Sequence, residues 1–290
     1  MAVRIVTDSL SDLTKVHVAN KGITIVPLTV LFGHETFLDR VTITTEEFYR
    51  RLIAGPVTPA STQPPPLDFA NAYDKLAAET NEILTITLSS KLSGTYQSAK
   101  AGIDLMKNKK CRVEVIDSQT VAMGLGLVVM AATRQAAAGM NLDRLVEFTR
   151  KALTRSHFLA YFDTLKYLAK GGRIGKAAGL LGSVLSFKPI LTVKEGEMAP
   201  VTRLRSRAAG LDYLYNFVVA CKNIEAIGVE HTTDPAGADE LARRFTASHP
   251  KVPIMRSTVS PVLGVYGGPN AVAITLLEAE GPALSKAEGK

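Results

Sequence analysis

Tryptophan is absent from this 290-residue chain, and Cys111 and Cys221 are its only cysteines. The two stand far apart, in no C-x-x-C pair and beside no ligand-type neighbours. That excludes a disulfide framework and the spacings of a structural zinc site. Each falls in a mostly apolar stretch and is expected as a buried thiol in a reducing, cytoplasmic compartment. Aromatics are few, 10 Phe and 8 Tyr, so the core has to be built from aliphatic side chains, which suits α/β layers. The start, Met1-Ala2-Val3-Arg4-Ile5-Val6, lacks the apolar core of a secretory signal and reads as a first strand. The longest apolar run, Val121 to Ala132, falls short of the ~20 residues that span a bilayer.

Signatures of catalysis are missing too. There is no G-x-x-x-x-G-K-[ST] loop, no G-x-S-x-G elbow and no H-E-x-x-H helix. Gly124-x-Gly126 lies inside an apolar helical stretch and is read as packing. The five histidines, His17, His34, His157, His231 and His249, are scattered. An enzyme assembled from residues distant in sequence stays open. The net charge is +7, but the longest basic cluster is Lys107-Asn108-Lys109-Lys110, in a turn between a helix and a strand. No zinc-finger or aromatic RNA-binding pattern accompanies it, so nucleic acid is not expected as a partner. Anionic ligands, or transient contact with an acidic membrane surface, remain compatible with the charge.

What is present is an alternation of strand and helix patterns. Strands are expected at Val3–Val6, Ile23–Phe32, Ile83–Leu88 and Val113–Ile116. Gly33-His34 is read as a hairpin turn, and Thr44-Thr45-Glu46-Glu47 as a capping box opening a helix to about Ile53. Gly55–Pro66 reads as loop, and helices are expected over Leu67–Ala78, Gly94–Met106, Gln119–Ala138 and from Asn141 to Leu153. This order predicts an N-terminal doubly wound α/β domain over residues 1–156. A C-terminal α/β domain is expected over 157–290. It contains a strand Phe158–Phe162, a short helix capped by Asp163, and an apolar stretch Gly175–Leu185. A hairpin from Pro189 to Arg203, a helix capped by Ser206, further strands and a frayed tail from Glu278 follow.

Three polar stretches carry chemistry. Ser89-Ser90-Lys91-Leu92-Ser93-Gly94-Thr95 follows a strand and opens a helix, where unpaired N–H groups attract an anion. Ser93 and Thr95 add hydroxyl donors and Gly94 permits close approach; a plain Ser cap is the alternative. Ser61-Thr62-Gln63 offers two more hydroxyls ahead of a proline run, or simply a stiffened loop. Lys170-Gly171-Gly172-Arg173 makes a tight turn that aims Arg173, or is a basic helix end. Thr7-Asp8-Ser9, Ser61-Thr62-Gln63 and Ser89–Thr95 are expected to share one rim.

In order along the chain, Val6-Thr7-Asp8-Ser9, Ser61-Thr62-Gln63-Pro64, Ser90-Lys91-Leu92-Ser93-Gly94-Thr95-Tyr96-Gln97-Ser98, Val115-Ile116-Asp117-Ser118 and Lys170-Gly171-Gly172-Arg173-Ile174 resemble the DegV family of bacterial fatty-acid-binding proteins. Lys188-Pro189-Ile190-Leu191 and a weaker Gly264–Pro269 piece extend the likeness. The resemblance implies a carrier that binds a long-chain fatty acid and presents its carboxylate to a separate ATP-dependent fatty-acid kinase, which forms an acyl phosphate. It implies no cofactor or metal beyond the fatty acid itself, no catalysis by the chain, and an acyl chain enclosed with the help of the C-terminal domain. The fatty-acid-binding residues so implied are Ser61, Thr62, Ser93, Gly94, Thr95, Arg173 and Tyr266. Two positions depart from the family pattern. The hydroxyl pair reads Ser61-Thr62 where the family has Thr-Ser, and Tyr266 stands where it often has His. A Tyr hydroxyl donates a hydrogen bond but changes no charge near neutral pH. A hydrolase or transferase acting on an acyl or phosphorylated substrate, and a small-anion sensor without lipid, are the competing readings.

Overall fold

The computed structural model describes residues 2–181 and 187–280. The chain opens with β1 (Arg4–Asp8) and α1 (Lys15–Val18). Ile23–Phe32, expected as one strand, is two: β2 (Ile23–Val26) and β3 (Thr29–Phe32). Pro27, between them, has no N–H to donate to a ladder and turns the chain from one sheet into another. β3 returns through Gly33-His34, with Gly33 at φ +61°, into β4 (Glu35–Leu38). At α2 (Thr45–Ala54) the Thr44 hydroxyl accepts the Glu47 N–H at 3.1 Å, while Glu47 itself turns to Arg50 and Arg51 instead of completing a capping box.

The stretch read as loop contains β5 (Ala60–Thr62), a strand only because it pairs with the free edge of β3, Ser61 opposite Val30. Then come α3 (Pro66–Leu76), β6 (Glu82–Thr87), α4 (Thr95–Leu105) and β7 (Arg112–Asp117). α5 (Met123–Ala137) begins four residues later than expected, because Gln119 and Ala122 have φ near +52° and +58° and cannot be helical. α6 (Leu142–Leu153) is capped as its sequence predicts, Asn141 accepting from Arg144 N at 3.1 Å.

β2-β1-β6-β7 form an all-parallel sheet. On one face Phe69, Tyr73, Ala99 and Met106 of α3 and α4 and its end pack against Val6, Val26 and Ile83. α5 and α6 cover the other face. Strand order reverses between β1 and β6, which makes their carboxyl ends the switch point where such sheets bind ligands.

The second part comprises β8 (Ser156–Tyr161), α7 (Lys166–Lys170), β9 (Lys188–Lys194), β10 (Glu197–Leu204), α8 (Arg207–Ala220), β11 (Ile224–His231), α9 (Pro235–Ser248), β12 (Ile254–Thr258), α10 (Pro261–Gly267) and β13 (Val272–Glu278). Its sheet runs β10-β9-β8-β13-β11-β12, antiparallel except for β11 beside β12. Asp163 does not cap α7; it pairs with Lys188, and Thr164 accepts the Lys166 N–H instead. Ser206 caps α8 by accepting from Ala209 N. Of the apolar stretch 175–185, Gly175–Leu180 is a 3₁₀ turn and residues 182–185 lie outside the described residues; of the tail expected from Glu278, Glu278 instead ends β13 opposite Ile224, and 281 onward lies outside the described residues. α8 and α9 cover the outer face through Leu211, Leu214, Leu241 and Phe245. Phe245 is fully buried, which contributes on the order of 1.5–3 kcal/mol.

α5 lies between the two sheets, which is why Met123–Ala132 is apolar all round and only its last turn carries a charge, Arg134. A methyl at Gly126 would overlap the Ser11 carbonyl oxygen, and one at Gly124 would crowd Thr120. These glycines are indeed packing residues.

Candidate functional site

Two of the loops expected on one rim meet at the switch point. Asp8 joins them from below: its carboxylate accepts Leu10 N at 3.0 Å and Leu88 N at 2.8 Å, tying the end of β1 to the end of β6. Thr7 and Ser9 are buried and structural, Thr7 donating to the Ile86 carbonyl and Ser9 to Asp39. The loop after β1 therefore reaches the cavity through Leu10, and not through the polar triplet before it.

An apolar cavity of about 420 Å³ opens between the parallel sheet and the inner face of the mixed sheet. Its walls include Leu10, Leu28 and Leu88 from the first part and Phe158, Ala160 and Ala273 from the second. The size lies within the usual range of small-molecule sites. Ser61, Thr62, Gln63, Ser93, Arg173 and Tyr266 bring most of its polarity.

The seven residues singled out from the sequence are placed as follows. Ser61 Oγ lies 2.7 Å from Tyr266 Oη, joining β5 to α10. Ser93 Oγ lies 2.9 Å from Thr95 Oγ1 and accepts the Thr95 N–H at 3.3 Å. Thr62 lines the cavity and is exposed. Arg173 donates to the Gly171 and Leu92 carbonyls at 2.8 and 3.2 Å, and its guanidinium sits 5.2 Å from the centre of the Tyr266 ring. Gly94 and Thr95 do not line the cavity. Gly94 is the N-cap of α4, and a methyl there would overlap the side chain of Gln63. Thr95 is buried behind Ser93, where its hydroxyl fixes the Ser93 side chain.

The paired glycines aim Arg173 through two separate effects. Gly172, at φ +70°, makes the turn, and Gly171 lacks the Cβ that would strike the Tyr266 ring. Gly268, at φ +66°, leaves room for the Tyr167 ring in the same way, so α7 and α10 close on each other. Gln63 was not among the seven; it rests on Gly94 and donates to Ser98 at 3.3 Å. The apolar walls from β8, β13 and α10 were not assigned either, since each reads as ordinary core.

Beneath the cavity lies a cluster of buried acids. Asp12, at φ +53°, accepts Ser260 N at 3.0 Å and meets Arg40 at 3.2 Å. Glu230 accepts Met123 N at 3.0 Å, and Asp39 accepts the Ser9 hydroxyl at 2.7 Å. Burial pushes Asp8 and Asp39 up to about 7 against the donors that favour their anions. Burial, and the charge of Asp12, push Glu230 well above the usual carboxylate range; Asp12 is raised by burial against the pull of Arg40. Such shifts mark candidate catalytic acids in general. Here none of the four lines the cavity. They connect the loop after β1 to α5, β11 and the start of α10. Among the described residues no group of three His, Cys, Asp or Glu could hold a metal ion, and no helix is long and apolar enough to cross a membrane.

A sheet covered on both faces, with switch-point loops closing over an apolar cavity, is the architecture in which α/β proteins place their ligand sites. The chain belongs to the DegV family, whose profile matches residues 2–279. A DegV domain-containing protein of Clostridium perfringens is 34% identical over 94% of this chain and 98% of its own length. Among solved structures, a fatty-acid-binding DegV family protein from Thermus thermophilus superposes with a TM-score of 0.88 at 28% identity, covering 96% of this chain and all of that one. DegV from Bacillus subtilis, a fatty acid binding protein, shares the fold with a TM-score of 0.87 at 24% identity, over 96% and 100% of the two chains.

Proposed function

We propose that this protein binds a long-chain fatty acid, with the alkyl chain in the cavity and the carboxylate at the rim formed by Ser61, Thr62, Ser93, Arg173 and Tyr266. Gly94 and Thr95 act from behind, holding the α4 start and the Ser93 hydroxyl. The observation that carries this reading is an apolar cavity whose lining includes the hydroxyls of Ser61, Thr62, Ser93 and Tyr266, with Ser61 and Tyr266 2.7 Å apart. An alkyl chain of about 15 methylenes gains roughly 12 kcal/mol gross on burial, while an unpaired buried carboxylate would cost several. Hydroxyl donors offset that cost, and the fatty acid bound by the Thermus thermophilus relative fits the same chemistry. The division into units at 1–156 and 157–290 belongs to this reading, because the cavity takes walls from both.

The same reading makes the protein a carrier that presents the head group to an ATP-dependent fatty-acid kinase. Two of the Arg173 donors are already bonded to backbone carbonyls, so the carboxylate is held mainly by neutral hydroxyls and keeps a nucleophilic oxygen. Neither a histidine nor a carboxylate lines the cavity among the described residues, which favours the carrier over a hydrolase or transferase. Both cysteines are free thiols, in keeping with a cytoplasmic place, and any membrane contact is proposed as transient.

Organic extraction of the purified protein followed by lipid mass spectrometry tests the first claim: one fatty acid per chain is expected, and a protein without lipid that takes up none overturns it. For the second, acyl phosphate should form from the loaded protein and ATP only when a kinase partner is added. ATP consumption by the protein alone would favour the enzyme reading.

A further inference from the structure

We propose that Phe158 is the stop that sets the length of acyl chain this cavity accepts. The inference rests on the fatty-acid reading above and adds a specificity determinant to it.

Residues 158, 160 and 162 share one face of β8 and its continuation, and all three line the cavity. After Phe162 the chain runs through α7 to Arg173, which belongs to the rim in that reading, so the Phe162 end of the strand is taken as the rim side. Phe158 therefore lies roughly 13 Å further in, at about 3.3 Å per strand residue. The neighbouring strand marks the same depth. On β13, Ala273 pairs with Ala160 and lines the cavity, whereas Thr275 pairs with Phe158 and does not. Alanines at 160, 271 and 273 keep the channel open; at the next level a benzyl group fills it.

Beyond Phe158 lies a second groove of about 560 Å³, with Gln119, Thr120, Arg150 and His157 among its polar lining residues. Phe158 is the one residue common to the linings of both spaces among the described residues. The residue is 8% exposed, and its carbonyl accepts from the Thr192 hydroxyl at 2.7 Å. The side chain thus partitions an apolar cavity from a polar groove, and the terminal methyl of a bound acid would end against it.

The test offers the full-length protein a mixture of saturated fatty acids of graded length, extracts the bound acid and ranks the lengths by mass spectrometry. Phe158→Ala should move the preferred length to longer acids, each additional buried methylene shifting the bound ratio by roughly fourfold. Phe158→Leu, the milder change, should move it in the same direction by less, and it carries the test if the alanine variant does not fold. A wild-type protein that binds acid, with folded variants showing the same ranking of lengths, overturns the stop alone. A wild-type protein that takes up no acid of any length overturns both this inference and the reading beneath it.

Discussion

The Ser61 hydroxyl and the Tyr266 phenol, 205 residues apart in the chain, lie 2.7 Å from each other at the head of the cavity. Either oxygen can be the donor, so the pair can turn one hydrogen outward when an anion arrives. Under the fatty-acid reading, Tyr266→Phe and Ser61→Ala should each weaken acid binding by about 1–3 kcal/mol while leaving the melting temperature nearly unchanged. Because the two hydroxyls act as one unit, the double variant should lose less than the sum. Competition for a fluorescent fatty acid measures this, and additive losses would separate the two roles.

Gly94 shapes the rim through Gln63. The Cβ of Gly94→Ala would overlap the Gln63 amide, which is the free end of a flexible side chain and can move away. The expected result is a stability change below about 1 kcal/mol together with weaker acid binding, since Gln63 would leave its place beside Ser98. Loss of stability without loss of binding would confine Gly94 to the backbone.

Gly126 presents the opposite case. A methyl there meets the Ser11 backbone carbonyl, which cannot swing aside without moving the loop that carries Asp12. Gly126→Ala should cost about 1–3 kcal/mol by overpacking, more than the gain in helix propensity returns. Urea unfolding measures it, and a stabilised variant would show that the loop can yield.

Asp39 links stability to pH. Its folded value is raised from 3.8 to about 7 by burial, so the native state holds a proton that the unfolded chain has released. Its contribution is full below pH 3.8 and is lost as pH rises through about 7. Asp8, shifted in the same way, acts in the same window. Asp39→Asn keeps an acceptor for Ser9 but cannot titrate. Unfolding midpoints taken across that window should fall less steeply in the variant than in the wild type. Parallel curves would mean that Asp39 does not carry the proton.

Local signals were legible because their hydrogen bonds close within a few residues. Thr44, Asn141 and Ser206 each cap the helix their sequence announces, and Gly33-His34 makes its hairpin. The parallel sheet followed from the alternation of short apolar strands and helices, and the Ser93 turn from a strand running into a helix start. β5 was not legible: a strand among prolines exists only because the edge of β3 offers its partners. The late start of α5 was hidden as well, since nothing in Gln119 or Ala122 announces a positive φ.

The sequence by itself determined which hydroxyls, glycines and basic residues were available to a polar rim, because residue type and local backbone fix that chemistry. Tertiary structure decided which of them face the cavity. It put Ser93 forward and Thr95 behind it, set Tyr266 against Ser61, and kept the cavity open by placing Ala160 opposite Ala273. Those choices depend on contacts between segments far apart in the chain, and such contacts exist only once both sheets have closed around α5.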